Sequence, residues 1–260
     1  MTDLIETSTF GRVRLLELNR PDALNSFNDA LYDAVTSALT DAEADNTIAA
    51  VVLTGRGRAF SAGQDLTEMG NKPKHTDNRT HGFAPFIDKV STFQKPLIAA
   101  VNGIGIGIGL TILLHCDLVL ISEDARLRAP FVSLGVTAEA ASSYLLPQRI
   151  GWQEAAQILY SADWVDADRA VKIGLAWQKA PAEALLENAL EIAAQFAAMP
   201  IPSLIETKRL LQTPKLADIE AARTREVTAF DRLRGTPANL EAIAAFKEKR
   251  QPDFSKIGAS

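Results

Sequence analysis

Cysteine is nearly absent from this chain. The 260 residues contain one, Cys116, so no intramolecular disulfide can form, which suits a reducing compartment. Histidine is almost as scarce, with three residues, and only the adjacent His115-Cys116 pair brings two soft ligands together, so no metal site is expected. There is no dense basic run. Lysine and arginine number 27 against 32 acidic residues, for a formal net charge of −5, which argues against nucleic acid or an anionic membrane surface as partner. No apolar stretch approaches the roughly 20 residues of a membrane span. The segment Met1-Thr2-Asp3-Leu4-Ile5-Glu6 lacks the basic and apolar regions of a secretory signal, and a soluble cytoplasmic protein is expected. What the chain does have is apolar material, 47% of its residues, enough for one large core with or without an appendage.

Strand and helix patterns alternate through the first half. Leu4 to Thr7 and Val13 to Leu18 read as paired strands, Asn19-Arg20-Pro21-Asp22 as a turn, and about Phe27 to Ala44 as a helix. Ile48 to Leu53 reads as a buried strand feeding a loop that ends in Ala59-Phe60-Ser61-Ala62-Gly63-Gln64-Asp65-Leu66. The polar stretch from Thr67 to Ala84 is expected to be a mobile surface segment. A helix near Pro85 to Phe93, a strand at Leu97 to Val101, an apolar helix ending at His115 and a strand at Leu118 to Ile121 complete an α/β layer pattern. Beyond about Glu139 the pattern turns helical, with Ala184 to Ala198, Leu216 to Leu233 and Ala238 to Lys249 as helices separated by prolines that include Pro214.

Two loops carry the chemical signal. In Gly103-Ile104-Gly105-Ile106-Gly107-Ile108-Gly109, four alternating glycines follow the strand at 97–101 and leave main-chain N–H groups uncovered, where a ligand oxygen could approach. A dinucleotide fingerprint needs glycines at offsets 0, 2 and 5, and the run does not supply them. Ala59-Phe60-Ser61-Ala62-Gly63 superficially matches a nucleophile elbow but has alanine where that motif has glycine, so Ser61 is read as a buried or loop serine. His115, in an apolar run, is read as a hydrogen-bonded core imidazole.

With Leu18-Asn19-Arg20-Pro21-Asp22-Ala23-Leu24-Asn25, Phe60 to Leu66, Ala100-Val101-Asn102-Gly103, Cys116-Asp117 and Phe246-Lys247-Glu248-Lys249-Arg250, the chain resembles the crotonase (enoyl-CoA hydratase/isomerase) superfamily over nearly its whole length. The resemblance implies an α/β spiral of repeated ββα units over residues 1–199 and a helical trimerisation region over 200–260. It also implies acyl-CoA thioesters as ligands, coenzyme A being part of the substrate and no separate cofactor being needed. Carried over by position, the backbone N–H groups of Ala62 and Ile108 form an oxyanion hole. Ala23, Leu24, Ala62, Gly63, Gln64, Asp65 and Leu66 contact the CoA moiety, and Phe246 and Lys249 approach it from the same or a neighbouring subunit. A solvated helix charge is the alternative for Lys249. A homotrimer, or a hexamer built as a dimer of trimers, is expected.

Hydration in this family uses two glutamates, and Thr111 and Phe131 stand in their places. Neither a hydroxyl nor a phenyl ring performs acid–base work near neutral pH. The stretch Pro130-Phe131-Val132-Ser133-Leu134-Gly135-Val136-Thr137-Ala138-Glu139-Ala140-Ala141-Ser142-Ser143-Tyr144 instead resembles the Δ3,Δ2-enoyl-CoA isomerase branch, with Glu139 on the catalytic glutamate. One carboxylate suffices for that reaction, taking a proton from C2 and returning it at C4. The alternatives are an enoyl-CoA hydratase and an acyl-CoA-binding protein without catalysis; a thioesterase lacks a histidine partner for Ser61.

Overall fold

The computed structural model describes residues 3–65 and 79–258. Strands β1 (Ile5–Phe10) and β2 (Val13–Leu18) pair antiparallel. A 3-10 turn at Pro21–Ala23 leads to helix α1 (Asp29–Ala44), whose start is capped by the Asn28 side chain accepting the Leu31 N–H. From there one motif recurs: a strand in a large sheet, a short strand in a small sheet, then a helix. The first turn of this spiral is β3 (Ala50–Gly55), β4 (Ala59–Ser61) and α2 (Phe83–Thr92). The second is β5 (Leu97–Val101), β6 (Ile104–Ile106) and α3 (Ile108–Thr111), which tightens into a 3-10 turn at Ile112–His115. The third is β7 (Leu118–Ser122) and β8 (Arg126–Arg128), followed by a 3-10 turn at Val132–Leu134 and helices α4 (Ser142–Ile150) and α5 (Trp152–Ser161). After β9 (Val165–Asp166), α6 (Ala167–Lys172) and β10 (Gln178–Ala180) come the helices α7 (Leu185–Ala197), α8 (Ile201–Leu233) and α9 (Pro237–Lys247).

The large sheet has the order β1-β2-β3-β5-β7-β10 and is parallel from β2 onward; the small one runs β4-β6-β8-β9. This is the ββα spiral with a C-terminal group of helices that the resemblance implied. The apolar runs of β3 and β5 are buried on both faces, as parallel strands covered on two sides must be. Alternation then sorts their side chains. Leu16, Leu18, Val51, Leu53, Ala99 and Val101 pack with Leu31, Val35 and Leu39 of α1 and Phe86 and Val90 of α2 on one face. Val13, Leu15, Ala50, Val52, Ile98 and Ala100 meet α7 on the other, through Ala189, Ala193 and Ala197, which recur every four residues and let the helix lie close to the sheet.

The structure corrects the reading in two places. Pro214 does not separate helices but lies inside α8, which continues from Ile201 to Leu233. Contacts on both sides of the proline hold the helix together: the buried Lys208 and the Gln212 side chain, which donates to the Phe93 carbonyl, precede it, and buried Ile219 and Ala222 follow it. The glycine run also does not pass directly into one apolar helix. Its middle forms β6, because Ile104 to Ile106 pair with β4 and β8. Residues 67–78 of the expected mobile segment lie outside the described residues, and its end, Phe83 and Ala84, opens α2.

Gly109, at the start of α3, lies backbone to backbone against the end of β4. A Cβ there would stand 2.6 Å from the Ser61 carbonyl oxygen and 3.1 Å from the Ser61 Cβ. Backbone cannot retreat as a flexible side chain can, so Gly109→Ala should cost about 1–3 kcal/mol. Thermal unfolding should show a loss of several degrees relative to the native chain.

Candidate active site

Three loops are tied together by their backbones. Asn25 is fully buried and is the knot between two of them: its side-chain amide donates to the carbonyls of Arg56 and Ala59 at 2.9 and 2.8 Å, and its Oδ1 accepts the Arg20 N–H at 2.8 Å. The Ser61 hydroxyl donates to the Asn25 carbonyl at 2.8 Å, so it is the buried structural serine expected and no nucleophile. Arg20 pairs with Asp65 at 3.0 Å. Phe27 N–H donates to the Gly63 carbonyl and Asp65 N–H to the Phe27 carbonyl, at 2.7 and 2.8 Å, forming a short parallel bridge between Phe27 and Gln64. On its other side this loop meets the glycine run, where a Cβ on Gly63, which has φ +91°, would lie 2.7 Å from the Ile106 carbonyl oxygen.

These bonds decide which N–H groups are free. The Ala62 N–H donates to the Leu24 carbonyl at 2.9 Å, so it has an acceptor and does not serve as the oxyanion donor expected of it. In the Phe27–Gln64 bridge the Gln64 N–H points away from Phe27, as ladder geometry requires, and it has no acceptor among the described residues. The N–H of Ile108, the first of α3, also has none among them. The Ile108 side chain is 1% exposed and packs in the core, leaving its backbone as the group it can offer.

Glu139 stands beside the glycine run. The Thr111 hydroxyl, fully buried at the end of α3, lies 3.5 Å from Glu139 Oε1 in donor geometry. Burial pushes the Glu139 carboxyl up to about 7, the charge of Glu226 adds to the rise, and the Thr111 hydroxyl opposes it. Tyr32 of α1 donates to the Gln64 side-chain oxygen at 2.9 Å, and its hydroxyl is held well above the ordinary phenol range by burial and then by the Glu139 and Asp29 charges. Phe131 is buried. His115 is the core imidazole expected, 2.8 Å from the Ala140 carbonyl through Nε2, with burial pushing it down to about 4.

Ala23, Leu24, Gly63, Gln64 and Asp65 are therefore brought together, and Leu66 lies outside the described residues. Phe246 and Lys249 are not brought to them within this chain: both are exposed at the end of α9, with the Lys249 N–H donating to the Phe246 carbonyl. The sequence reading missed Tyr32, which no motif marks, and Glu226, which reaches the site from α8. It also gave Gln64 only a CoA contact. Among the described residues there is no group of three or more His, Cys, Asp or Glu fit for a metal, and no helix is long and apolar enough to cross a membrane.

Residues 9–257 match the family model for enoyl-CoA hydratase/isomerase. The 2,3-dehydroadipyl-CoA hydratase of Escherichia coli (strain K12) is 35% identical over 98% of this chain and 99% of its own length. The 1,2-epoxyphenylacetyl-CoA isomerase of the same organism is 31% identical over 94% and 95%. The crystal structure of an enoyl-CoA hydratase/isomerase from Pseudoalteromonas atlantica T6c superposes with a TM-score of 0.92 at 36% identity, covering 96% of this chain and 99% of that one. The chain belongs to the enoyl-CoA hydratase/isomerase family, the crotonase superfamily, and is a crotonase-fold enzyme of CoA thioesters. Hydratases and isomerases both stand among its relatives, so membership sets the class and leaves the reaction to the site.

The raised carboxyl has a thermodynamic consequence. Its folded-state value of about 7 lies above the unfolded 4.5, so the native state holds an extra proton between them and loses stability as pH rises through that window. Glu139→Gln should therefore stabilise the protein above pH 7 by on the order of 2–3 kcal/mol and by little below pH 4.5. Denaturant melts of both proteins at several pH values measure the difference.

Proposed function

We propose that this protein is an enoyl-CoA isomerase that moves a double bond from the 3,4 to the 2,3 position of an acyl-CoA thioester, with Glu139 as the single acid–base group. The observation that carries this reading is the Glu139 carboxyl beside the glycine run, contacted among the described residues by the Thr111 hydroxyl: by the family resemblance Thr111 and Phe131 stand where hydration needs its glutamates, and the Glu226 carboxylate is occupied by backbone N–H groups. Glu139 takes a proton from C2, the dienolate charge collects on the thioester oxygen, and the same carboxyl returns the proton to C4. No atom is gained or lost. The N–H groups of Gln64 and Ile108 are the donors we assign to that oxygen, each worth roughly 3 kcal/mol to the charged intermediate. Ala23, Leu24 and residues 62–65 are the CoA contacts of this reading.

Hydration is the second reading, favoured by the relative named as a hydratase. It needs a carboxylate to direct water to the β-carbon as well as an acid at the α-carbon. A panel of 2-enoyl and 3-enoyl thioesters, with products identified by mass and double-bond position, separates the two. Isomerisation without gain of water is expected, and robust 3-hydroxyacyl-CoA formation would replace this reading with the second. Because Glu139 must be ionised to accept the proton, kcat/KM should fall below an acid limb near pH 7 and be level above it. Glu139→Gln should reduce isomerisation by at least 10²-fold while leaving thioester binding intact.

The trimer belongs to the same proposal. Leu210, Leu211, Val227 and Leu240 are exposed on α8 and α9, an apolar surface that a neighbouring copy would cover. Light scattering should give the mass of three chains or six, and a monomer mass would contradict the assembly.

A further inference from the structure

Glu226 is an expensive residue for the place it occupies. It is 6% exposed on α8 and forms no ion pair among the described residues. Burying a carboxylate without a cation costs several kcal/mol unless hydrogen bonds repay it. Its two oxygens accept the N–H groups of Ala141 and Ser143, at 2.7 and 2.8 Å. These lie at the start of α4, which has no cap of its own: its N-cap position is Ala141, whose side chain offers no acceptor. Glu226 thus caps, from 83 positions along the chain, the helix that begins three residues after Glu139.

The turn it caps is unusual as well. Ala140 and Ala141 both hold φ of +59°, the left-handed region, which is costly for residues with a Cβ and persists only where the surroundings impose it. Three contacts do so here. His115 Nε2 bonds to the Ala140 carbonyl at 2.8 Å; a carbonyl only accepts, so the imidazole donates from Nε2 and is neutral. The Ser142 hydroxyl donates to the Glu139 carbonyl at 2.6 Å. Glu226 secures the other end of the turn.

We propose that Glu226 is a positioning residue for Glu139, gripping the 139–143 turn through the Ala141 and Ser143 N–H groups and so fixing where the Glu139 carboxylate stands. This rests on the reading of Glu139 as the acid–base group. The grip carries an electrostatic consequence, since the buried negative charge disfavours ionisation of Glu139 and keeps its proton affinity high enough to receive and return a proton. The groups that face this pair are Tyr32 of α1, Thr111 of α3, the neutral His115 and Arg225 of α8; Asp29 of α1 acts on Tyr32, and Arg149 of α4 with Arg223 and Lys208 of α8 act on His115.

Two variants separate length from charge, with Glu139→Gln measured beside them. Glu226→Gln keeps the arm and removes the charge; Glu226→Asp keeps the charge and shortens the arm. Steady-state isomerisation of a 3-enoyl-CoA from pH 5 to 9 should show kcat reduced about 10- to 100-fold in the Asp variant, with KM within about threefold of native and the acid limb in place. The Gln variant should move the limb to lower pH. A residue that merely stabilised the fold would leave the limb where it is. Native kcat and a native limb in both variants would overturn the proposal; should the Gln variant fail to fold, the kcat of the Asp variant decides alone. Retained turnover in Glu139→Gln would instead remove the acid–base reading itself, a different failure.

Discussion

The site depends on one contact, the approach of backbone to backbone where β4 and the loop after it meet the glycine run that contains β6. Gly109 over the Ser61 carbonyl and Gly63 over the Ile106 carbonyl leave no room for a Cβ at either position. Side chains between these loops would separate them by the width of at least a methyl group. Without that separation, two main-chain donors from different turns of the spiral, Gln64 and Ile108, sit on adjoining loops with no acceptor among the described residues. The rest of the fold supports this contact. The adjacent parallel strands β3 and β5 deliver both segments from the same end of the large sheet, and Asn25 ties the loop before α1 to the segment between β3 and β4.

A second constraint governs Glu139. Holding a carboxyl where its proton affinity is raised opposes folding at neutral pH, and so do two left-handed alanines and a buried Glu226 beside it. The large apolar core and its close-packed parallel sheet make that local instability tolerable. His115 and Ser142 donate to backbone carbonyls of the turn and Glu226 accepts from its Ala141 and Ser143 N–H groups and from the Ser143 side chain, and none of these bonds ends on the Glu139 carboxylate itself. The turn is held while the carboxylate is left unengaged among the described residues, apart from the long contact with Thr111.

The sequence made the large sheet legible because its strands are continuous apolar runs: the expected bounds of β2 and β5 agree with the structure, and those of β3 and β7 differ only at their ends. Helices α1 and α7 were legible from their apolar stripes. Pro214 misled because a local rule about helix breaking is overridden when buried residues on both sides hold the helix against the body of the protein. The choice of Ala62 as donor failed for a different reason. Which N–H is free depends on the Leu24 carbonyl and the φ of Gly63, and neither is written in the spacing of a motif. Glu226 was invisible for a third: among the many charges of an amphipathic helix, only the tertiary fold distinguishes the one that faces inward.

The division of labour between the two glutamates bears on the chemistry. Two free carboxyls close together titrate apart, one easily ionised and one reluctant, and that asymmetry suits a reaction needing a base and an acid at different carbons. Here the second carboxylate is tied to backbone N–H groups, which favour its charged form against burial and occupy its oxygens. Burial still leaves its carboxyl above the ordinary carboxylate range, and in its ionised form it contributes a negative charge beside Glu139. The free carboxyl then has a proton affinity near neutrality, where giving up a proton and accepting one are comparably easy. A group that must take a proton from one carbon and deliver the same proton to another is best served by that balance, whereas directing water to a β-carbon calls for a second free carboxylate.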